Sequence, residues 1–384
     1  MKDYQTASLL RRYGRGTSLA ACALALALAG CGGGGAEGSI GDKPNDPIRV
    51  APNPTDQWTL VPAAEVDMDP VVLANGVSTL AANNHGLSSM LVMRHGKPVL
   101  EQYWNGYDKD TLHDLRSATK SITSLMMGIA IDQRLVGGVG DTLSSHLGAL
   151  YPNAPAFRLG VKLGDLLTMR SGLDCDDWVG SSPGNESNMY KQTDWLKFYT
   201  SIAAVTTPGT ATRYCTGNPV ALGRVISLAS KKPIAAFANE FLFGPLNIDS
   251  ARWAMFDNGS QTDTGGHILM RPRDMAKLGQ LALRKGQWNG RQLISAAWIE
   301  ESTRQHTQFN QPSRNGYGYL WWRSVEYVNT KPYEMFFANG NGGQYIMVVP
   351  ALDLVAVFTG ENYNSNKGQY PLEVLNKYIL GAVK

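Results

Sequence analysis

The sequence predicts an α+β fold in which an antiparallel sheet is flanked by helices and a second lobe is mostly helical. Strand-like segments occur near both ends of the chain, whereas about residues 137–250 alternate Gly-, Pro- and Asp-rich connectors with apolar helical segments. The 384 residues, 43% hydrophobic and 17% charged, are enough to bury a large core. We therefore expect the two ends to pair in one sheet, with a ligand cleft between the sheet and the helical lobe.

The first 70 residues predict export and tethering. Basic residues precede an apolar run from Leu19 to Ala29, which is the layout of a secretory signal and is too short to span a membrane. The run ends in Leu-Ala-Gly-Cys and resembles a bacterial lipoprotein signal, in which Cys31 becomes the lipidated first residue. The alternative is a small-residue cleavage site with an incidental cysteine. We expect a signal peptide at 1–30, a flexible Gly-rich tether at 31–70, a folded domain at 71–384, and a lipid anchor in the periplasm or outer membrane.

Charge and cysteine usage narrow the range of partners. A net charge of +3 without a run of basic residues does not favour a nucleic-acid partner. In an oxidising compartment Cys175 and Cys215 are expected to form a disulfide, the alternative being two unpaired buried cysteines. Neither lies in a Cys-x-x-Cys pair and the histidines lack ligand spacing, so a structural zinc site is not expected. The serine chemistry considered below requires neither a metal nor an organic cofactor.

The strands are predicted from short apolar runs bounded by turn residues. Residues 89–104 predict a hairpin around His95-Gly96-Lys97-Pro98. Late in the chain "YGYLWWRS", "GGQYIMVVP" and "LDLVAVFTG" predict further strands, the last two forming a hairpin around Pro350-Ala351-Leu352-Asp353. A helix at about 371–380 is expected to close the chain.

The stretch "LRSATKSITSLMMG" at 115–128 combines a buried helix with a possible nucleophile. Apolar residues at helical spacing from Ile122 to Ile129 predict a helix that begins at or just before Ser117. Ser117 and Lys120 then share one helix face, and the helix N-terminus offers N–H groups to a developing oxyanion. A serine needs a neighbouring base, and a desolvated lysine, alone or with a tyrosine, can supply it. The alternative is a helix-capping serine followed by a solvated lysine.

The segments "DLRSATKSITSLMMGIAID" and "LGDLLTMRSGLD" resemble the serine β-lactamase and penicillin-binding-protein superfamily. The similarity is strongest to its class C branch, with the related family VIII esterases and 6-aminohexanoate-oligomer hydrolases, and covers roughly residues 75–384. The resemblance implies a β-lactamase/transpeptidase-like fold with Ser117 as nucleophile and Lys120 as its partner.

The second element of that family is Tyr-x-Asn, whose tyrosine is the general base. The literal matches at Tyr103 and Tyr327 stand at the wrong places in the chain, whereas Tyr214 in "PGTATRYCTGNPVALGRVI" has the family context. Thr216 takes the place of the asparagine, and its hydroxyl can still bind Lys120 or the substrate. Asn218 is an alternative amide.

The third family element is a Lys/His-Thr/Ser-Gly strand, and Ala338-Asn339-Gly340 stands in its place. The basic residue that pairs with a substrate carboxylate is absent, which favours an uncharged ester or amide over a β-lactam or peptide carboxylate. The N–H of Asn341 is the candidate second oxyanion donor. The alternative is an ordinary Gly-rich turn before a core strand.

Three rival interpretations remain at the sequence level. Residues 180–184 match Gly-x-Ser-x-Gly, with Asp194 and either His267 or His306 as partners of Ser182, although no hydrophobic strand precedes them and Pro183 lacks the N–H needed for an oxyanion hole. A non-catalytic surface-tethered binding or sensor lipoprotein and a true β-lactamase are the others. The aromatic residues at 317, 319, 321 and 322 are assigned to the core.

Overall fold

The computed structural model describes residues 48–384, except 55, 57, 84, 257, 258, 260, 310–315 and 329. The predicted signal peptide, Cys31 and residues 31–47 of the tether lie outside the described residues. The described chain belongs to a single unit.

Strands make up the two ends of the described chain and a few short pairs between them. Their bounds are β1 Leu87–Arg94, β2 Lys97–Tyr103, β3 His113–Asp114, β4 Arg252–Trp253, β5 Met255–Phe256, β6 Gln261–Thr262, β7 Ile268–Met270, β8 Gln287–Trp288, β9 Arg291–Gln292, β10 Thr307–Gln308, β11 Gly316–Tyr317, β12 Trp322–Val328, β13 Lys331–Gly340, β14 Gln344–Val349 and β15 Leu354–Gly360.

One antiparallel sheet joins the two ends of the chain. Within the described residues it has eight strands in the order β10-β11-β12-β13-β14-β15-β1-β2. β1 pairs with β15 on one side and with β2 on the other, so that Leu91 lies opposite Val357 and Val92 opposite Leu100. β1, β14 and β15 are buried along their whole length, as expected for apolar strands covered on both faces. The predicted α+β fold with its antiparallel sheet is confirmed.

Helices cover the sheet and form the middle of the chain. Their bounds are α1 Pro70–Ala81, α2 Thr119–Asp132, α3 Leu143–Leu147, α4 Leu163–Leu167, α5 Glu186–Met189, α6 Trp195–Ser201, α7 Gly217–Ser230, α8 Ile234–Ala238, α9 Pro272–Leu283, α10 Ala296–Thr303 and α11 Tyr370–Val374. Short 3-10 segments add Ala63–Val66, Arg116–Ala118, Pro155–Leu159, Pro350–Leu352, Asn366–Gln369 and Leu380–Ala382, and π-helical turns add Asn239–Phe243 and Leu375–Ile379.

Helix α9 packs on β14, β15 and β1. A Cβ on Gly279 would lie 2.7 Å from Val355 and 2.9 Å from Ile346, so glycine permits the close approach of helix and sheet. Helices α3 to α8 form the helical lobe predicted for about residues 137–250, and α7 at its centre contacts α2, α3, α4, α6 and α8. Helix α2 also contacts β13, which places its N-terminus between the lobe and the sheet.

Two sequence-based expectations need correction. The described residues of 48–69, a range expected to belong to the tether, pack on the domain: Val66 and Met68 are fully buried, and the N–H of Val61 donates to the carbonyl of Pro98. Their apolar side chains supply the burial that a flexible tether lacks. The predicted strand "YGYLWWRS" is two strands, because residues 318–321 turn between β11 and β12. Among the described residues no helix is long and apolar enough to cross a bilayer.

Candidate active site

Ser117 lies in a tight turn at the entrance to α2. The 3-10 segment Arg116–Ala118 leads directly into the helix, and neither helical segment has a side-chain cap, so Ser117 is not a capping residue. Arg116 has a left-handed φ of 48°, and its N–H donates to Asp114 Oδ1 at 2.9 Å. Such a backbone costs on the order of 1–3 kcal/mol and is retained where the surroundings enforce it.

Lys120 is buried one turn along the helix and points at Ser117. Its side chain is only 1% exposed. The Nζ donates to Ser117 Oγ at 3.0 Å, to Thr216 Oγ1 at 3.0 Å and to the carbonyl of Gly265 at 2.6 Å. The lysine is therefore not the solvated first-turn residue of the capping hypothesis.

Tyr214 completes the group from the helical lobe. It is buried, and Lys120 Nζ lies 5.0 Å from its ring centroid. Burial raises the pKa of the phenol, while the charge of Lys120 and a hydrogen bond with Ser117 oppose that rise. The structure thus brings together Ser117, Lys120 and Tyr214 from two distant parts of the chain.

Two carboxylates lie behind Lys120. Thr216 Oγ1 donates toward Asp177 Oδ2 at 2.7 Å and Glu186 Oε2 at 2.9 Å, and the Thr216 N–H also donates to Asp177 Oδ2 at 2.7 Å. Asp177 Oδ1 accepts the N–H of Glu186 at 2.8 Å. Burial and the neighbouring Glu186 raise the pKa of Asp177 to about 6, although Lys120 and Thr216 act in the opposite direction.

The opposite side of Ser117 is formed by the end of β13. A Cβ on Gly340 would lie 2.1 Å from the carbonyl oxygen of Leu115 and 3.1 Å from Arg116 Cβ, so the strand touches the turn that carries the serine. Ala338 is fully buried and offers no side chain to a ligand. Asn341 follows in an exposed turn, where its side chain donates to Asn364 Oδ1 at 2.8 Å and accepts the N–H of Asn364.

An aromatic cluster covers Tyr214. The Trp178 ring stacks on Tyr214 at 4.9 Å with an interplanar angle of 4°, although Trp178 is 49% exposed. Trp322 stacks on the same tyrosine at 5.7 Å, and Phe309 meets it edge-on at 6.0 Å. Trp322, assigned to the core by its sequence pattern, is buried and is also part of this apolar wall.

The disulfide Cys175–Cys215 joins the loop that carries Asp177 to the segment that carries Tyr214 and Thr216. Its Cα atoms are 5.4 Å apart, and it links residues 40 positions apart in the sequence. Cys215 lies between Tyr214 and Thr216, and Cys175 lies two residues before Asp177. The cross-link therefore connects the tyrosine to the loop that carries Asp177, which we call the acidic loop.

A second polar group lies at the base of the turn. Asp114 Oδ2 accepts from His267 Nδ1 at 2.8 Å and pairs with Arg116 Nε at 3.0 Å. Burial would lower the pKa of His267, but its hydrogen bond and charge interaction with Asp114 outweigh it and the pKa is raised. Asp263 is buried beside them and accepts the N–H groups of Gly265 and Gly266, and its burial raises its pKa to about 6.

The rival Gly-x-Ser-x-Gly assignment is not supported by the geometry. Ser182 is buried, and its hydroxyl donates to the carbonyl of Asp174 and accepts the N–H of Asp176. Asp194 caps α6, His267 pairs with Asp114, and His306 bonds the carbonyl of Glu301. These side chains are engaged separately and do not form a triad.

The remaining tyrosine and amide candidates also have other roles. Tyr103 ends β2 and donates to Glu101, and Tyr327 is an exposed residue of β12. The side chain of Asn218 accepts a hydrogen bond from Tyr199 at 2.8 Å. Of the two candidates, Thr216 is therefore the one that contacts Lys120. Among the described residues no group of three or more His, Cys, Asp or Glu side chains is arranged to hold a metal ion.

Sequence reasoning missed Asp177, Glu186 and Trp178. Their loop has no regular periodicity, and the carboxylates reach Lys120 only through a fold that brings residues 177, 186 and 216 together. The available signal was the acidic run after Cys175, because a disulfide to Cys215 would bring that run beside Tyr214.

Comparison with known proteins identifies the family. A 6-aminohexanoate-dimer hydrolase of Paenarthrobacter ureafaciens is 22% identical over 228 residues, 55% of this chain and 56% of that enzyme, so the match spans little more than half of the relative. A Bacillus anthracis structure provisionally assigned as a 6-aminohexanoate-dimer hydrolase superposes with a TM-score of 0.69 at 18% identity, covering 88% of this chain and 90% of the other. The octameric penicillin-binding protein homologue from Pyrococcus abyssi superposes with a TM-score of 0.62 at 16% identity, covering 82% and 78%. The Beta-lactamase family profile matches residues 73–374, and the chain therefore belongs to the Beta-lactamase family.

Proposed function

We propose that the protein is a serine hydrolase that cleaves an ester or amide through an acyl-enzyme on Ser117. The observation that carries the proposal is the contact of Ser117 Oγ with Lys120 Nζ at 3.0 Å beside the buried phenol of Tyr214. A serine hydroxyl becomes nucleophilic when an adjacent group takes its proton, and Lys120 and Tyr214 both lie beside Ser117.

In the proposed reaction, Ser117 Oγ bonds to the carbonyl carbon as its proton passes to the Tyr214–Lys120 pair. The N–H groups of Ser117 and Asn341 stabilise the oxyanion. Collapse of the tetrahedral intermediate breaks the ester C–O or amide C–N bond, and the pair returns the proton to the leaving alcohol or amine. Water then attacks the acyl-enzyme, with the same pair as base. No step of this mechanism uses a metal or an organic cofactor.

The side of the site formed by β13 supports an uncharged ester or amide as the substrate class. The position of the family's basic residue is taken by Ala338, which is fully buried. The nearby cation Arg116 is paired with Asp114 and lies 4.9 Å from the Tyr363 ring centroid. A β-lactam or peptide carboxylate would thus lack a dedicated partner on this side. The relative from Paenarthrobacter ureafaciens is named for hydrolysis of the 6-aminohexanoate dimer, which is compatible with an amide as the substrate.

Labelling with a fluorophosphonate probe tests the nucleophile. We expect the wild-type protein to be labelled and Ser117→Ala to be unlabelled and inactive. Ser182→Ala is the matched control, since Ser182 lies in the rival motif, and it is expected to keep full labelling. Absence of labelling in the wild type would favour the non-catalytic binding protein, and loss of labelling in Ser182→Ala alone would favour the rival motif.

A substrate panel tests the bond type. We expect hydrolysis of short-chain nitrophenyl esters or a linear amide oligomer by the purified protein, and at least about 100-fold lower kcat/KM for a chromogenic cephalosporin, since an unpaired carboxylate loses a charge-assisted contact. A cephalosporin turned over as fast as the esters would instead identify a true β-lactamase.

We also propose that the protein is an exported lipoprotein anchored through Cys31. The signal-like N-terminus supports this, and the disulfide Cys175–Cys215 is compatible with an oxidising compartment. Metabolic labelling with palmitate should mark the wild type and not Cys31→Ala. Labelling that survives this substitution would contradict the anchor.

A further inference from the structure

The hydroxyl of Thr216 lies between two carboxylates and one ammonium group. Its Oγ1 is 2.7 Å from Asp177 Oδ2, 2.9 Å from Glu186 Oε2 and 3.0 Å from Lys120 Nζ. A hydroxyl has one proton and two lone pairs, and carboxylates only accept. The Thr216 proton is therefore committed to the carboxylate pair, and Lys120 must be the donor in its contact with Thr216.

This direction of donation fixes the orientation of Lys120. The carbonyl of Gly265 can only accept, so a second N–H of Lys120 is committed to it at 2.6 Å. The remaining direction on Nζ faces Ser117 Oγ at 3.0 Å. In the ammonium form this direction holds an N–H, and in the neutral amine it holds a lone pair. In the proposed mechanism, proton exchange with Ser117 and Tyr214 takes place along it in either case.

The two carboxylates also act on Tyr214 through their charge. Burial raises the pKa of Tyr214, Lys120 and Ser117 lower it, and Asp177 and Glu186 raise it further. Burial and Glu186 raise the pKa of Asp177 to about 6, so this carboxyl is ionised above that pH.

The groups that face this network come from several elements. They are Ser117 and Lys120 at the start of α2, Asp177 in the loop after Cys175, Glu186 and Tyr190 on and after α5, Asp263 in the segment before β7, and the ring of Tyr317 on β11.

We propose that Asp177 and Glu186, acting through Thr216 and Lys120, are positioning residues that set the pH at which Tyr214 accepts the proton of Ser117. This inference rests on the proposed function of Ser117 as nucleophile. The carboxylate of Asp177 accepts two backbone N–H groups as well as the hydroxyl of Thr216. Among the hydrogen bonds of the described residues, the carboxylate of Glu186 accepts one, from the hydroxyl of Thr216. Glu186 is therefore the residue whose charge can be removed with the least disturbance.

Glu186→Gln is the variant that tests the proposal. It removes one negative charge and keeps the size of the side chain. A negative charge raises the pKa of a nearby phenol, so its removal lowers that pKa and favours the phenolate at lower pH. We expect the acid limb of the kcat/KM profile to move to lower pH, because that limb reports the base of the free enzyme.

Matched variants separate tuning from loss of structure. Glu240→Gln is the same chemical change at an exposed glutamate paired with Lys232, and it should leave the limb in its wild-type position. Thr216→Val removes the hydroxyl and should lower kcat at least about tenfold, whereas Thr216→Ser restores the hydroxyl and should recover most of the activity. A decrease in kcat for Glu186→Gln with an unmoved limb would mean a purely structural role and would overturn the proposal.

A second measurement does not depend on turnover. The titration of Tyr214 can be followed by NMR on protein with ¹³C-labelled tyrosine and assigned by the signal lost in Tyr214→Phe. Glu186→Gln should lower its midpoint, and an unchanged midpoint would overturn the proposal. Failure of the proposed function would be seen separately, as a wild-type protein that neither hydrolyses esters nor reacts with the fluorophosphonate.

Discussion

Ser117 lies between two sides that differ in kind. The sheet side, formed by the end of β13 and the following turn, contacts the serine turn through backbone and a glycine, and Ala338 and Asn341 carry no charge. The lobe side presents a buried phenol and two carboxylates joined by one hydroxyl, and the ammonium group of Lys120 on α2 faces them. In the mechanism proposed above, the sheet side therefore contributes shape and N–H donors, whereas the lobe side contributes proton transfer and charge.

The largest expected effect of a single change on the lobe side comes from Tyr214→Phe. The ring can still stack on Trp178 and Trp322, so the substitution removes the phenol and little packing. General acid–base groups contribute about 10²–10⁴-fold, so we expect kcat to decrease about 10³-fold while the melting temperature changes little. Steady-state kinetics and thermal unfolding of the same preparation measure both.

The matched control is Tyr317→Phe, which removes a hydroxyl from a buried ring that packs against Trp322 in the same cluster. It should retain activity within about threefold. Equal losses in the two variants would mean that the cluster acts by packing, and the proposed division between the two sides would be wrong.

The two sides also differ in how far the sequence predicts them. The sheet is predicted by the sequence, because β14 and β15 are continuous apolar runs bounded by turn residues. Such a run is typical of a strand that is buried on both faces. Ser117, Lys120 and Tyr214 are predicted by spacing and by resemblance to a family. The roles proposed for Asp177 and Glu186 depend on hydrogen bonds across loops without periodicity, where side-chain direction is determined only by tertiary contacts.

Gly340→Ala tests the sheet side and has the next largest expected effect. The new Cβ would lie 2.1 Å from the carbonyl oxygen of Leu115, so β13 and the serine turn must move apart. A displacement of about 1 Å at a reacting group can cost about 100-fold, and we expect kcat/KM to decrease about 10- to 100-fold. The acid limb of the pH profile should stay in place, because no charge changes.

Gly140→Ala is the control for that variant, since a Cβ there meets no atom within 4 Å and its φ is not left-handed. It should match the wild type in activity and melting temperature. A Gly340→Ala enzyme with full activity would show that the end of β13 does not position the reacting groups. A moved acid limb in that enzyme would show that the sheet side also controls proton transfer.

The smallest effect is expected from Trp178→Ala, at the exposed edge of the lobe side. Trp178 is 49% exposed yet stacks flat on Tyr214, so its ring covers one face of the tyrosine ring. We expect its exposed part to offer an apolar face to a substrate. Aromatic pairs are worth about 0.5–1.5 kcal/mol, which corresponds to at most about tenfold in KM. We expect KM to rise for esters with long or aromatic acyl groups and to change little for acetyl esters. Tyr327→Ala, at another exposed ring, should leave KM unchanged for both kinds of ester.

The pH profile of Trp178→Ala gives a second measurement. Because burial is the largest cause of the raised pKa of Tyr214, removing the Trp178 ring should also move the acid limb slightly to lower pH, in the direction expected of Glu186→Gln. A Trp178→Ala enzyme that loses kcat equally for every ester, with an unmoved limb, would instead indicate that the ring acts by holding the acidic loop in place.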